Sequence, residues 1–342
     1  MRTLAVCSGI GRWLFVPATI FCIMLGLGSA STGQMHHGRE DISWLEYKLN
    51  NAAEPHNTTF VITQEEHHLI LPLKRAGNLI LLEAIVDGMN GNLIFDTGSA
   101  ALVLNSIYFN EGARASSGQV AGGITGATGP VNSLRVNQLQ ISGLTFSRLN
   151  ASLSDLGHIE SARNIKILGF FGLSLFRDFE VVVDLENGIL ELYRLNYRGN
   201  RAGKDVPEPN LDLSLDVEVE SDVVFIEASI GKSRQLFCLD TGAESNVISS
   251  TLSSKVLNTV SILRRSTLKG AGTQQMEVLH GIMNQFSIGR TEIKDMQVLV
   301  TNLNTMSKFF GKRVSGMLGC EFLEKGVFYI NLKKETVGIV FH

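Results

Sequence analysis

The chain is poor in cysteine, proline and tryptophan, which make up only 4, 6 and 2 of its 342 residues. Two of the cysteines, Cys7 and Cys22, lie in an apolar N-terminal stretch, so that Cys238 and Cys320 alone remain for the rest of the chain. Two cysteines exclude a disulfide framework. They leave open one bridge or two buried free thiols, and we favour free thiols.

Clustered positive charge is also missing. The net charge is −3, and Arg264-Arg265 and Lys333-Lys334 are isolated pairs, which argues against nucleic-acid binding. The histidines of Glu65-Glu66-His67-His68 and His36-His37 do not have the spacing of metal ligands. No nucleophile elbow supports a serine triad. We therefore expect no metal and no cofactor.

The first 30 residues resemble a targeting segment. Arg2 and Arg12 precede an uncharged apolar stretch from Trp13 to Leu27, and Gly28-Ser29-Ala30 supplies small residues for cleavage. The stretch is short for a membrane span. A cleaved signal and a retained N-terminal anchor, with membrane association through residues 13–30, both stay open. Either one predicts an extracytoplasmic location, periplasmic or secreted.

Two polar segments divide the remainder of the chain. Residues 31–59 are a linker or a pro-segment, and their near-balanced charge favours a linker. Residues 197–210 contain Gly and Pro and predict the connection between two lobes, at 60–196 and 211–342.

The tripeptide Asp-Thr-Gly occurs twice, at residues 96–98 and 240–242, and each copy follows an apolar strand-like run. A carboxylate at the end of a buried strand is costly unless it has a partner or a role. Two such placements, 144 residues apart, suggest two halves that bring Asp96 and Asp240 together.

The surroundings of the two copies repeat in the same order, and a repeat defines architecture better than local propensity. Short apolar runs separated by 34 glycines favour strands and tight turns. The fold class is therefore all-β, with two homologous closed-barrel-like lobes and a cleft between them. The matched elements in the two halves are the strand runs 68–73 with 79–86 and 211–219 with 223–230, the Gly-rich turns 122–126 and 270–272, the alternating runs 132–141 and 275–288, the triplets 167–169 and 317–319, and the closing strand pairs 179–185 with 189–193 and 327–332 with 337–341.

The repeated Asp-Thr-Gly, Gly-rich turn and apolar-apolar-Gly triplet resemble the aspartic peptidases of the pepsin and retropepsin-like clan. The resemblance covers roughly residues 60–342, and the compact lobes are closer to the retropepsin-like branch. Gly122-Gly123-Ile124 is similar to a retropepsin flap tip. Three features depart from pepsins: the first flap has no Tyr, pepsin-style disulfides are absent, and Ser99 is matched by Ala243. A hydroxyl at position 99 can hydrogen-bond its neighbouring carboxylate, and such a bond would make the two aspartates unequal.

The resemblance implies an aspartic endopeptidase that binds an extended polypeptide, and we expect it to act as a monomer because both aspartates lie on one chain. Two carboxylates that share one proton can activate a water and protonate the scissile amide. The catalytic candidates are Asp96 and Asp240. Their expected supports are Thr97, Gly98, Ser99, Thr241, Gly242 and Ala243. The expected flap and substrate-binding residues are Gly122, Gly123, Ile124, Thr125, Gly126, Gly270, Ala271 and Gly272.

Two alternatives remain. A peptide-binding module with the same fold but little or no turnover is suggested by the missing flap Tyr and by Ala243. A self-paired chain that uses each half as a retropepsin protomer is the weaker one.

Overall fold

The computed structural model describes residues 20–21, 59–62, 67–123, 126–203, 206–269 and 275–342. Nearly all of the targeting segment, most of the 31–59 segment and the flap residues Ile124, Thr125, Gly270, Ala271 and Gly272 lie outside these ranges. Within the described ranges, no helix has the length and apolar character needed to cross a membrane.

Strands dominate both halves of the chain. The strands of the first half are β1 (Ile20–Phe21), β2 (Thr59–Ile62), β3 (His68–Pro72), β4 (Lys74–Ala76), β5 (Leu79–Val86), β6 (Met89–Phe95), β7 (Leu102–Asn105), β8 (Arg114–Gly123), β9 (Gly126–Ile141), β10 (Leu144–Ser154), β11 (Ile167–Phe171), β12 (Phe179–Asp184) and β13 (Ile189–Arg194). Those of the second half are β14 (Leu213–Asp216), β15 (Glu218–Glu220), β16 (Val223–Ile230), β17 (Ser233–Leu239), β18 (Val247–Ser249), β19 (Val260–Lys269), β20 (Gln275–Met283), β21 (Phe286–Ile288), β22 (Thr291–Ile293), β23 (Met296–Thr301), β24 (Gly316–Leu318), β25 (Gly326–Asn331) and β26 (Thr336–Phe341).

Helices are short and few among the described residues. They are α1 (Gly157–Arg163), a 3₁₀ turn (Leu173–Phe176), α2 (Ser254–Leu257), α3 (Asn304–Phe310) and α4 (Cys320–Leu323). The predicted all-β class is confirmed.

The first lobe is a closed six-stranded barrel. Its strands follow one another around the ring in the order β5, β9, β10, β7, β11, β6, and the ring closes because β9 pairs with β5 through Ala84 and Ile141. Along β5 every second side chain from Ile80 to Val86 belongs to the main core, while Leu79 and Leu81 on the other face pack into a second buried cluster.

The second lobe repeats this strand order, from β19 and β20 through β23, β18, β24 and β17 to β16. The sequence predicted one strand over 275–288. The chain breaks it at Asn284 and Gln285 into β20 and β21, and only β21 pairs with β16. The second sheet is therefore a half-barrel.

The closing strand pairs of the two halves join into one sheet. Its order is β14, β26, β25, β12, β13, β3, and β12 of the first half pairs with β25 of the second through Val181 and Ile330. The repeat in the sequence predicts that each pair stays within its own lobe. Joining them covers two strand edges and places Val181 and Ile330 in one apolar core that extends through both lobes.

The matching of the two triplets was wrong by three residues. Gly169 pairs with Leu93, three residues before Asp96, whereas Gly316 pairs with Phe237, three residues before Asp240. The counterpart of Gly319 is therefore Gly172. Each half has two glycines three residues apart, Gly169 and Gly172 in the first and Gly316 and Gly319 in the second. Which glycine of one half matches which of the other is settled only by the register with the strand that leads to the aspartate.

The segment between the lobes is held against the shared sheet. The Arg201 side chain is only 4% exposed. It donates from Nε to Glu180 Oε1 at 2.7 Å and lies 3.6 Å from the ring centroid of Tyr193. This part of the predicted linker is thus packed, and the domain boundaries stay a prediction.

Candidate active site

The two aspartates occupy equivalent positions at the ends of equivalent strands. Asp96 follows β6 and Asp240 follows β17, and both are fully buried. The Asp96 N–H donates to Phe171 O at 2.9 Å, and the Asp240 N–H donates to Leu318 O at 3.0 Å. β11 pairs with β6 and β24 pairs with β17. The backbone of each aspartate therefore bonds to the last residue of the neighbouring strand in the same way in both halves.

Each Asp-Thr-Gly forms a tight turn that the aspartate itself closes. Asp96 Oδ1 accepts the Gly98 N–H at 3.0 Å, and Asp240 Oδ1 accepts the Gly242 N–H at 2.9 Å and the Ala243 N–H at 3.2 Å. These bonds hold the Oδ1 atom of each carboxyl group.

Each carboxyl group lies directly over the glycine of the opposite turn. A Cβ placed on Gly98 would lie 2.6 Å from Asp240 Cγ, and one placed on Gly242 would lie 2.5 Å from Asp96 Cγ. Glycine is required at both places because any side chain would occupy the space of the opposite carboxyl group. The structure thus brings together the two aspartates that the sequence singled out.

The pKa of Asp96 is raised well above its usual value. Burial is the largest cause, the charge of Asp240 is the second, and a hydrogen bond with Asp240 is the third; the N–H groups of Gly98 and Ser99 act in the opposite direction. Two buried carboxyl groups this close to each other do not both ionise easily, so the pair favours one shared proton.

The two turns are locked to each other by their threonines. The Thr97 N–H donates to Thr241 Oγ1 at 2.9 Å, and the Thr241 N–H donates to Thr97 Oγ1 at 3.0 Å. The hydroxyls donate onward, Thr97 to Leu239 O at 2.8 Å and Thr241 to Phe95 O at 2.7 Å. All four bonds are buried and cross between lobes, so they fix the distance between the turns.

We expect Thr241→Val to destabilise the chain by about 2–5 kcal/mol, because it leaves the buried Thr97 N–H and Phe95 O without partners. Urea unfolding measures the change. Thr259→Val is the control, since its hydroxyl donates only to Val256 O within one loop; its effect should stay near 1 kcal/mol. Equal effects of the two substitutions would contradict a special role for the crossed threonines.

Ser99 does not contact the neighbouring carboxylate through its side chain. Its hydroxyl donates to Ala101 O at 2.9 Å, so the expected hydroxyl–carboxylate bond was wrong. Ala243, its counterpart, is buried against the apolar cluster of the second lobe. Position 99 is thus held by a side-chain hydrogen bond, whereas position 243 is held by apolar packing.

Two hairpins lead up to the Gly-rich segments, whose residues 124–125 and 270–272 lie outside the described residues. In the first lobe β8 and β9 pair up to Gly123 and Gly126, with Gly122 opposite Ala127. In the second lobe β19 and β20 pair up to Lys269 and Gln275. The contact of these flaps with a substrate stays a prediction.

Cys238 and Cys320 are both buried free thiols, as favoured from the sequence. Burial, with the nearby charges of Asp240 and Asp96, raises the pKa of Cys238. No cluster of His, Cys, Asp and Glu side chains suited to a metal ion occurs in the described part of the chain.

Sequence reasoning missed two polar side chains that hold the second turn. Asn246 Oδ1 accepts the Gly319 N–H at 3.0 Å, while its Nδ2 donates to Gln297 O at 3.0 Å. Glu244 pairs with Arg163 of the first lobe. The sequence signal for these two residues is the polar run Glu244-Ser245-Asn246, because the matching positions of the first half are Ala100-Ala101-Leu102.

Comparison with known proteins gives one family match. Residues 226–322 match the model of a family described as aspartyl protease. The matched region begins in β16 and ends in α4, so it includes Asp240 and β24. No curated protein matches the chain. The family resemblance stated from the sequence is confirmed, together with a retropepsin-like fold.

Proposed function

We propose that this aspartyl protease, retropepsin-like in fold, is an endopeptidase that cleaves extended polypeptides with a water activated between Asp96 and Asp240. The observation that carries the proposal is that the two aspartates are fully buried and that the carboxyl group of each lies over the glycine of the opposite turn. No other described pair of acids is buried, adjacent and held by matched backbone donors in this way.

The chemistry requires one ionised and one protonated carboxyl group. The ionised group takes a proton from the water as the water oxygen bonds to the scissile carbonyl carbon, while the protonated group donates its proton to the carbonyl oxygen. The C–N bond of the tetrahedral intermediate then breaks as the nitrogen takes a proton from one carboxyl group, while a hydroxyl of the intermediate returns a proton to the other carboxylate. The proton count is unchanged over the cycle, so neither a metal nor a cofactor is needed.

The proposed mode of substrate binding uses the β8–β9 hairpin. A polypeptide that lies as an added strand between the β8–β9 hairpin and the dyad would gain main-chain hydrogen bonds without a requirement for particular side chains. Both aspartates belong to one chain, so we propose a monomer as the active form. We also propose an extracytoplasmic site of action, on the basis of the apolar segment at residues 13–27.

The test is incubation of the purified chain with a denatured protein mixture at a series of pH values from acidic to mildly alkaline. Mass spectrometry of the new termini identifies the bonds cut. We expect internal cleavages with a mildly acidic optimum, and inhibition by a statine-type analogue. Removal of terminal residues alone would contradict an endopeptidase, and binding without new termini would favour the peptide-binding module.

A further inference from the structure

Besides the crossed threonines, the catalytic loop of the second lobe, which is the segment from Asp240 to Asn246, bonds to the first lobe through Glu244. Its Oε1 accepts a hydrogen bond from Arg163 Nη2, and its Oε2 accepts the Asn78 N–H at 3.2 Å. Its backbone oxygen accepts Asn78 Nδ2 at 3.2 Å. The side chains of Glu244 and Arg163 are only 13% and 20% exposed, so solvent and salt screen this ion pair weakly.

Two separate elements of the first lobe converge on Glu244. Arg163 ends α1, and Asn78 lies in the turn between β4 and β5. The turn is shaped for this approach: Gly77 has φ +65°, and a Cβ there would lie 2.4 Å from Arg163 Nη1 and 3.3 Å from Glu244 Oε2. Only a glycine allows the turn to come so close to the ion pair.

The corresponding loop of the first lobe contacts the second lobe without an ion pair. The counterpart of Glu244, four residues after its aspartate, is Ala100. Ala100 packs against the apolar cluster of the second lobe that contains Met306 and Phe310 of α3. In the order of elements α3 corresponds to α1, because each helix precedes the strand that pairs with its aspartate strand. Each catalytic loop therefore contacts the opposite lobe, one through an ion pair and one through apolar packing.

We propose that Glu244 is a positioning residue for the dyad: through Arg163 and Asn78 it fixes the Asp240 turn relative to the first lobe and so sets the approach of the two carboxyl groups. The inference rests on the proposed function, since it concerns the same site. A misplacement of about 1 Å in reacting groups reduces rates by about 10²-fold, so a contact four residues from Asp240 can control turnover without touching substrate.

The main variants are Glu244→Ala and Arg163→Met, measured by kcat, KM and melting temperature. We expect kcat to fall about 10–100-fold with little change in KM, because the substrate-binding hairpins are intact. Arg163→Lys keeps the charge and should recover most of kcat. The matched control is Arg75→Met, which breaks another ion pair between the lobes, Arg75–Glu324, whose side chains are 31% and 45% exposed; it should leave kcat unchanged.

A second measurement separates this inference from the proposed function. ¹³C NMR of labelled aspartates follows the titration of Asp96 and Asp240 without any turnover. We expect the two apparent pKa values of the dyad to move closer together in Glu244→Ala, because the carboxyl groups separate. Should Glu244→Ala fail to fold, Arg163→Met and Glu244→Gln, which retains an acceptor for Asn78, are titrated in its place.

Two outcomes would overturn the positioning role. One is a lower melting temperature with wild-type kcat and wild-type titration, which would make Glu244 merely structural. The other is an equal loss of kcat in Arg75→Met, which would make any contact between the lobes equivalent. A wild-type chain that hydrolyses no peptide defeats the proposed function, whereas the carboxyl titration still decides the role of Glu244.

Discussion

Asp96→Asn will abolish hydrolysis and at the same time make the chain more stable at neutral pH. Asparagine has nearly the shape of aspartate, so the turn and its Gly98 N–H bond to Oδ1 can persist. What is lost is the group that shares a proton with Asp240. Loss of a general acid–base group reduces rates by about 10²–10⁴-fold, and we expect at least the upper end for this dyad.

The stability change has a definite sign. The pKa of Asp96 is raised in the folded chain above its ordinary value of 3.8. The stability contributed by its protonated form is fully present below the unfolded pKa and is lost as pH rises through the folded pKa. Asparagine cannot ionise and avoids that loss. The gain from Asp96→Asn should therefore be small at pH 3 and grow toward neutrality, roughly the interval between the ordinary and the raised carboxyl pKa.

Urea unfolding of wild type and Asp96→Asn at several pH values tests the sign, and Asp222→Asn is the control. Asp222 is buried and accepts Arg177 Nε at 2.6 Å and Nη2 at 2.5 Å. Its replacement removes a paired charge and should lower stability without loss of kcat. A variant at Asp96 that is less stable than wild type at neutral pH would refute the proton-sharing pair, as would retained hydrolysis.

Gly242→Ala is expected to have the second-largest effect. The added methyl carbon would lie 2.5 Å from Asp96 Cγ and 2.7 and 2.8 Å from its two oxygens, well inside normal contact. Overpacking of this kind costs about 1–3 kcal/mol. The carboxyl group that has to move belongs to the opposite aspartate, so kcat should also fall, by about 10²-fold for a displacement near 1 Å.

Steady-state kinetics with a cleaved peptide, together with melting temperature, measure both effects. Gly188→Ala is the comparison: it strains the backbone, at φ +65°, but it creates no clash, because beyond its chain neighbours no atom lies within 4 Å of the new Cβ. It should lower the melting temperature and leave kcat intact. Wild-type turnover by Gly242→Ala would mean that the Asp96 carboxyl group can leave its observed place without consequence.

Much of the architecture could be read from local pattern. The run 79–86 was predicted as a strand and is β5, and 223–230 is β16. Both aspartates were selected from the sequence because each ends an apolar run in a repeated context. Side-chain alternation and turn residues act over a few positions, so the sequence displays them directly.

Other features needed contacts between distant segments. The pairing of Glu244 with Arg163 joins residues 81 apart, and nothing in either segment alone distinguishes the pair from two surface charges. The hydrogen bond of the Ser99 hydroxyl to Ala101 O, rather than to a carboxylate, also could not be predicted from the sequence. The backbone conformation of the turn sets the direction of this hydroxyl.

The sequence by itself determined two β-rich halves, each with an aspartate at the end of a buried strand, because strand periodicity and the Asp-Thr-Gly turn are local properties of the chain. Only the tertiary structure decided that β12 and β25 share one sheet, that Gly172 rather than Gly169 matches Gly319, and that an ion pair fastens one catalytic loop while apolar packing fastens the other. These outcomes depend on which strands pair and in what register, and pairing is settled by burial between segments that lie far apart along the chain.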